Sequence, residues 1–429
     1  MAVGMTFQDI SAVLAEINKA ATGQEPTSDI IDTSSFVSVA EATLRTGYDN
    51  LLNAISQVFT RTIFAVRPYR AQMLGLEKDG SAWGNHVRKI NYFDSDPIKD
   101  TTYSLPDDGT VGTEAGGDSV DPWIVKRPKV LQTNYYGQSN YARMYTQGLI
   151  QLNSAFQGPD QLAEFWSGMG THMANQIEQD RENLARLLVV NRMAGTPGAT
   201  PPSVIYLLDE YNDETGLELT ATTVFQPNNF PDFARFAFAR INDVSDMLRS
   251  RTTKWHQNWA VDGAKYQFMR HTPYDRQHLY LSSRIQRQIG ARVLADTFNS
   301  GLLKYRDMEL VPYWQTPDNR ETVEVKPIRT LSTGVAASQN PVGLHHIVGV
   351  LFDDDAIGYT PIDSQVLATP VNARSRYVNF WYHYGWRWYN DFTENAVLFL
   401  LTSGDVTAPT GAAASLKSSS VKEAEPVTK

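Results

Sequence analysis

Apolar positions recur at helical spacing in several stretches of the chain and at strand spacing in others. Phe7, Ile10, Val13, Leu14 and Ile17 predict a first helix, with Thr6 placed to cap it and Gly23–Pro26 closing it. An isolated helix of this length is marginal in water, so its apolar face needs a neighbour. That neighbour is either its own domain or another subunit. A second helical pattern covers residues 41–65 (EATLRTGYDNLLNAISQVFTRTIFA), with Pro68 as its boundary.

The clearest element opens at Gly158-Pro159-Asp160, where proline sits at a position whose N–H is not needed. Leu162, Phe165, Trp166, Met169, Met173, Ile177, Leu184, Leu187 and Leu188 keep one face apolar, and Gly195 and Pro197 stop the pattern. It spans residues 160–193, roughly 50 Å at ~1.5 Å per residue. A helix three or more times the usual length acts as a beam across a wide subunit. A further helix over residues 232–251 carries Phe233, Phe236, Ala237, Ile241, Val244 and Leu248 on one side.

Strand patterning fills much of the rest. HVRKINYF (residues 86–93) precedes a polar, glycine-rich stretch, Asp94 to Asp121, holding eight carboxylates against Lys99 alone and followed by Lys126, Arg127 and Lys129. A loop this long is usually functional or disordered. Two strands returning on each other here make an extended hairpin that cannot bury itself and should lie on a partner. NWAVDG and KYQFMRH alternate like strands, LSSRIQRQIGARVLADTF reads as helix, and MELVPYW from Met308 as strand. HHIVGVLF (residues 345–352) and AVLFLLT (residues 396–402) read as buried strands. Between them RYVNFWYHYGWRWYNDF places nine aromatics from Tyr377 to Phe392. From Ser403 onward periodicity is lost, which predicts a disordered tail.

Composition narrows the chemistry. The 429 residues suffice for two or three packed units. There is no cysteine, which removes disulfides, thiolate nucleophiles and Cys-based metal sites. The net charge of -9 is the wrong sign for a nucleic-acid binder, though it suits a container that must not trap DNA. The N-terminal stretch lacks a basic region followed by an apolar core, and no apolar run reaches the roughly 20 residues a bilayer span needs. No phosphate-binding loop and no GxSxG elbow occurs.

The remaining candidates are weak. His345 and His346 are adjacent, so on a strand they would face opposite ways. His271 with Asp275 reads as a polar turn at Thr272-Pro273 rather than a catalytic pair. Asp353-Asp354-Asp355 lacks the spacing, glycine and closing glutamate of a calcium loop and is expected to be a solvated turn or a helix start after the strand at 345–352. The aromatic tract lacks the basic groove of a base-stacking platform, so a buried sheet layer or a subunit contact is the better reading. Asn372, Asn379, His383, Asn390 and Asn395 interrupt that tract, and where buried they must find hydrogen-bond partners. No catalytic, cofactor-binding or metal-binding residues are therefore assigned, and no cofactor.

FDDDAIGYT (residues 352–360) and TPVNARSRYVNFWYHYGWRWYNDFTENAVLFL (residues 369–400), with NDFTENAVLF as the sharpest part, resemble the ending of tailed-phage major capsid proteins. The long helix, the block WAVDGAKYQFMRHTPYDRQHLYL and the following LADTFNSGLLKYRDMELVPYW keep the order such proteins use. The resemblance implies an α+β, Hong Kong 97-like fold. Residues 1–65 would be an N-terminal arm and 66–135 the extended β-hairpin loop. Residues 136–251 would form a peripheral domain with its spine helix at 160–193, and 252–344 an axial domain. Residues 345–402 would return strands to the peripheral domain, and 403–429 would be a disordered tail. No residue here matches the Lys–Asn cross-link of some members. The lack of a charge-dense helical extension implies a separate scaffolding protein.

The expected function is a structural shell subunit, not an enzyme. It would self-assemble into hexamers and pentamers of an icosahedral head around double-stranded DNA, with scaffolding, portal and possible decoration proteins as partners and no membrane. It would reside in the virion after assembly in the host bacterial cytoplasm. The rivals are a non-viral nanocompartment shell and a carbohydrate-active enzyme, for which Glu309, Asp391 and Glu394 are the available carboxylates.

Overall fold

A computed structural model describes residues 7–26, 30–46, 54, 73–78, 87–92, 130–149, 158–199, 201–261, 264–266, 269–292, 307–328, 331–332, 335–336 and 341–407. The acidic stretch 94–121, the cap position Thr6, and most of the pattern at 41–65 lie outside them.

Two packed helices open the described chain. In α1 (Phe7–Thr22) the periodic residues Ile10, Leu14 and Ile17 are buried. Gly23 ends it in the left-handed region at φ 75°, which glycine adopts freely. Helix α2 (Thr33–Leu44), which periodicity did not reveal, is set by a cap rather than by a strong stripe. Asp32 accepts the Ser35 N–H at 2.8 Å and Ser35 Oγ accepts the Asp32 N–H at 3.0 Å. A buried Asn18–Thr43 hydrogen bond of 2.8 Å joins the pair. Their apolar faces enter the main core of this same chain, which decides between the two neighbours open to α1.

The beam is present as α3 (Pro159–Gly195), 37 residues and roughly 55 Å long, with Gly158 as N-cap and Pro159 in the first turn. Met173, Leu184 and Leu188 are buried as expected, but Leu187 is 56% exposed. In its place a set of charged side chains is buried: Glu178, Asp180, Arg181, Glu182, Arg186 and Arg192.

Two sheets pack on this helix. The first joins β3 (Gly137–Gly148), β14 (Ile357–Ala368) and β15 (Tyr377–Asn390) in the order β14-β15-β3. Alternate residues Val378, Phe380, Tyr382, Tyr384 and Trp386 of β15 face the core with α3, as the period of two requires. The aromatic tract is thus a sheet layer. His383 and Asn372 are exposed rather than buried among the aromatics.

The second sheet runs β4-β16-β13-β7-β8, from β4 (Val204–Tyr206), β7 (Gln277–Ser282), β8 (Asp307–Val311), β13 (Ile347–Asp353) and β16 (Ala396–Leu400). Tyr280, Val350, Phe352, Leu398 and Leu400 point to the α3 core. Leu279, Leu281, Leu351, Val397 and Phe399 point to a second core with α4 (Leu207–Thr215) and α5 (Phe230–Leu248). Both faces are covered, which is why β13 and β16 read as continuous apolar runs. Because β13 hydrogen-bonds to β7 on one side and β16 on the other, residues on either side of position 344/345 share one sheet.

Gly349 of β13 lies where a Cβ would stand 2.5 Å from the Tyr280 carbonyl and 2.7 Å from Leu281 Cδ2. A Gly349→Ala change must push two central strands apart, so about 1–3 kcal/mol of stability is expected to be lost in denaturant titration.

Smaller pieces complete the fold. They are the ribbon β1 (Val87–Tyr92) with β2 (Val130–Tyr135), the pairs β5 (Trp259–Val261) with β6 (Ala264–Tyr266) and β10 (Leu331–Ser332) with β11 (Val335–Ala336), and α6 (Ser283–Arg292). A third sheet joins β17 (Val406–Thr407), β12 (Val342–Leu344) and β9 (Val323–Val325). The segment from Ser403 is therefore ordered at its start. Asp405 is buried, accepts the Thr402 N–H at 2.8 Å, and leads into β17, whose backbone pairing carries no apolar periodicity to read.

Candidate functional site

The residues NDFTEN (390–395) turn the chain from β15 into β16, and side chains from α3, β1, β2 and the segment before β7 converge there. From α3, Arg192 is 2% exposed; its guanidinium donates to the carbonyls of Asp391 and Glu394 at 2.6 Å each and lies 4.5 Å over the Phe392 ring. From β1, the Lys89 ammonium bridges the carboxylates of Asp391, at 2.5 Å, and Glu394. From β2, the Tyr135 hydroxyl hydrogen-bonds to Asp391. From the segment before β7, Arg270 pairs with Glu394 at 3.4 Å and donates to Asn91 of β1 at 2.6 Å.

The polar chain continues inward. Asn390 donates to the Leu188 carbonyl at 2.9 Å, and Asn395 meets His256 at 3.0 Å and the Thr272 hydroxyl at 3.1 Å. Thr272 donates to Asp353 at 2.7 Å. Thus α3, the β1–β2 ribbon and the second sheet are joined by one charged and hydrogen-bonded knot. Such knots specify geometry, because a partner removed leaves a buried charge uncompensated.

Burial alone would raise Asp391, but the Lys89 ammonium and the Thr393 hydroxyl and N–H hold it down to about 2. Glu394 moves the other way, raised by burial and by the neighbouring Asp391 charge. Burial draws Arg192 down to about 10, which leaves it charged at neutral pH. The sign for Asp391 follows from linkage: its contribution is complete above its ordinary value of 3.8 and is lost as pH falls toward about 2. Glu394 opposes it, since its ionisation is the costly state. Stability is expected to fall below pH about 4, and Asp391→Asn to flatten that acid limb in a pH series of denaturation midpoints.

The other sequence candidates fall elsewhere. Glu309 accepts the Met73 N–H at 2.7 Å, while Asp391 and Glu394 share Lys89 in the knot, so the three do not form a facing carboxylate pair. The Asp353–Asp355 run leads into a turn at 354–356, as expected, but its carboxylates are paired rather than free in solvent. Asp353 is buried, Asp354 is held by His278 at 2.7 Å and Lys78 at 2.5 Å, and Asp355 pairs with Arg276. Bonds from His278 and Lys78 hold Asp354 well below the carboxylate range. His345 and His346 sit between strands, His346 at φ 44° and 2.7 Å from Asp405. His271 is exposed beside the 3-10 turn Tyr274–Arg276. Among the described residues no group of three or more His, Asp or Glu side chains is placed to hold a metal ion, and no helix is long and apolar enough to cross a membrane.

Sequence reasoning missed Lys89, Arg192 and Arg270. Arg192 has a signal in retrospect: a charge on the face continued from Leu184 and Leu188.

Comparison with known proteins bears on this arrangement. A chain of the "Structure of head fiber and inner core protein gp22 of native bacteriophage P68" superposes with a TM-score of 0.50 at 12% identity, covering 79% of this chain and 86% of that one. A chain of the "Capsid structure of Staphylococcus phage Andhra" gives 0.45 at 10%, with 78% and 85% covered. One of the "Capsid structure of the Cyanophage P-SCSP1u" gives 0.39 at 12%, with 78% and 90% covered. No curated protein matches the sequence. The α+β, Hong Kong 97-like fold class read from the sequence holds. The family model described as "Phi29-like phage major capsid protein" matches residues 96–400, more than two thirds of the chain and the whole of the knot's 390–395 turn. This chain belongs to the Phi29-like phage major capsid protein family, and its role is that of a structural shell subunit of the virion.

Proposed function

We propose a division of labour within this shell subunit. Residues 1–65 serve as an N-terminal arm, 66–135 as an extended hairpin loop laid across a neighbouring copy, 136–251 with 345–402 as the peripheral domain, 252–344 as the axial domain at the centres of hexamers and pentamers, and 403–429 as a tail. The single observation that carries this reading is the β1–β2 ribbon. Its strands pair in register from Val87↔Tyr135 to Tyr92↔Val130, so the chain leaves and re-enters at directly opposed positions while the root is bound into the subunit's own knot. The 37 residues between those ends carry the eight carboxylates.

Assembly in the host cytoplasm with separate scaffolding and portal proteins, possible decoration by a further protein, and enclosure of double-stranded DNA without sequence-specific contacts complete the proposal. The net charge of -9 supports loose confinement of DNA rather than binding. The subunit works without catalysis. Neither a polysaccharide-cleaving enzyme nor a nanocompartment is supported by the family match.

Acidic side chains of the hairpin loop meet basic ones, including Lys126, Arg127 and Lys129, on the next copy. Rim charges of this kind are worth about 0–1 kcal/mol each and set rate and register. Replacing the eight acids by amides is expected to slow shell formation and to weaken its salt dependence in light-scattering assays. Unchanged kinetics at low salt would refute the loop's role.

A further inference from the structure

Over residues 173–195, α3 is inverted in charge. This stretch carries Glu178, Asp180, Arg181, Glu182, Arg186 and Arg192, and all six are buried. Each is held within the subunit. Glu178 pairs with Arg181 at 3.3 Å, Asp180 with Arg143 at 2.5 Å and Glu182 with Arg186 at 2.7 Å, and Arg192 belongs to the knot. Ordinarily these are the residue types that a helix leaves in water.

The positions that this stretch does expose between its ends are Asn175, Gln179, Asn183 and Leu187. They recur at every fourth residue, so they form one stripe about 18 Å long at ~1.5 Å per residue. It holds three carboxamides, one leucine and no charge. Asn191, next in the row, is turned in and exchanges hydrogen bonds of 3.0 and 2.6 Å with the Ile328 backbone.

Stability does not call for this pattern, because buried ion pairs gain little over apolar side chains of the same size. Nor does the stripe have the aromatic, methionine and arginine content of a subunit contact. A container for a polyanion supplies the reason. Exposed carboxylates would repel phosphates, and exposed lysines or arginines would hold them through counterion release. Carboxamide N–H groups donate to phosphate oxygens and do neither. A duplex carries one charge per ~1.7 Å, so about ten phosphates pass three neutral donors along the stripe, which gives contact without capture.

We propose that the Asn175–Gln179–Asn183–Leu187 stripe faces the interior of the shell and is a surface along which packaged double-stranded DNA lies. The proposal rests on the reading of the shell as a DNA container, and it names the surface the DNA meets.

Particles are produced in infected cells that supply the full-length double variant Gln179→Glu with Asn183→Glu, or Gln179→Lys with Asn183→Lys. Exposed helix positions tolerate either change, so shell yield and the melting of DNA-free shells should match the unaltered chain. Release of the genome on heating is then followed by dye fluorescence. At low salt the glutamate particles are expected to release DNA at a lower temperature, with severalfold fewer still filled after a fixed heat step. The lysine particles should release it at a higher temperature, and added salt should shrink both shifts. Release temperatures equal to that of unaltered particles, or shifted the same way by both variants, overturn the proposal and leave the container reading standing. Loss of shell assembly in both variants also overturns it, because the stripe would then be a contact between subunits. Unaltered particles that hold no DNA would sink the container reading and the proposal together.

Discussion

Replacing Arg192 by methionine is expected to destabilise the subunit by about 3–5 kcal/mol, the usual result of stripping one partner from a buried charged cluster. The expectation rests on position. Arg192 is 2% exposed, and its two bonds satisfy carbonyls of the 391–394 turn that no solvent reaches. Methionine fills much of the same volume, so the loss is electrostatic and not a cavity. With Arg192 gone, Lys89 and Arg270 face two carboxylates alone, and the turn is left with the Asn390–Leu188 hydrogen bond to α3. Tryptophan fluorescence during urea unfolding of unassembled subunits measures the effect. A shift below about 1 kcal/mol would mean that Arg192 merely fills space.

The second large effect is expected at Lys89→Met. The ammonium is about a quarter exposed, so the loss should sit near 3 kcal/mol, the low end of the same range. Its consequence is more local, because Lys89 ties the ribbon to the turn while Arg192 ties the turn to the helix. Hydrogen exchange of the β1–β2 amides should accelerate in Lys89→Met with little change in α3. Adding Glu394→Gln removes one of the two stranded charges, and a coupling energy of about 0.5–3 kcal/mol between the two sites is expected from the double-mutant cycle. Additive losses would show that the two side chains do not act as a pair.

Much of the fold was legible because its strongest signals are periodic. Gly158-Pro159 and the long apolar stripe announced α3, and the aromatic tract RYVNFWYHYGWRWYNDF, which reads as a buried sheet layer or a subunit contact, holds β15. The continuous runs at 345–352 and 396–402 read as buried strands, and strands form there at Ile347–Asp353 and Ala396–Leu400. Helix α2 was invisible because TSSFVSVAEATL is rich in serine and β-branched residues and depends on the Asp32 cap and on packing against α1. The knot was illegible for a different reason. Lys89, Arg270, Asp391 and Glu394 are distant in sequence, and a charged residue gives no periodic signature of burial. Leu187 and the Asp353–Asp355 run erred in opposite directions, since spacing alone does not show which face a neighbour covers. The C-terminal segment NDFTENAVLF was the sharpest point of resemblance, and it is the place where α3, the ribbon and the second sheet are joined.

The central claim, that this chain is a shell subunit, is tested most directly by electron microscopy of the particles this chain forms on expression. The account predicts closed icosahedral shells. Soluble monomers or open filaments alone would contradict it.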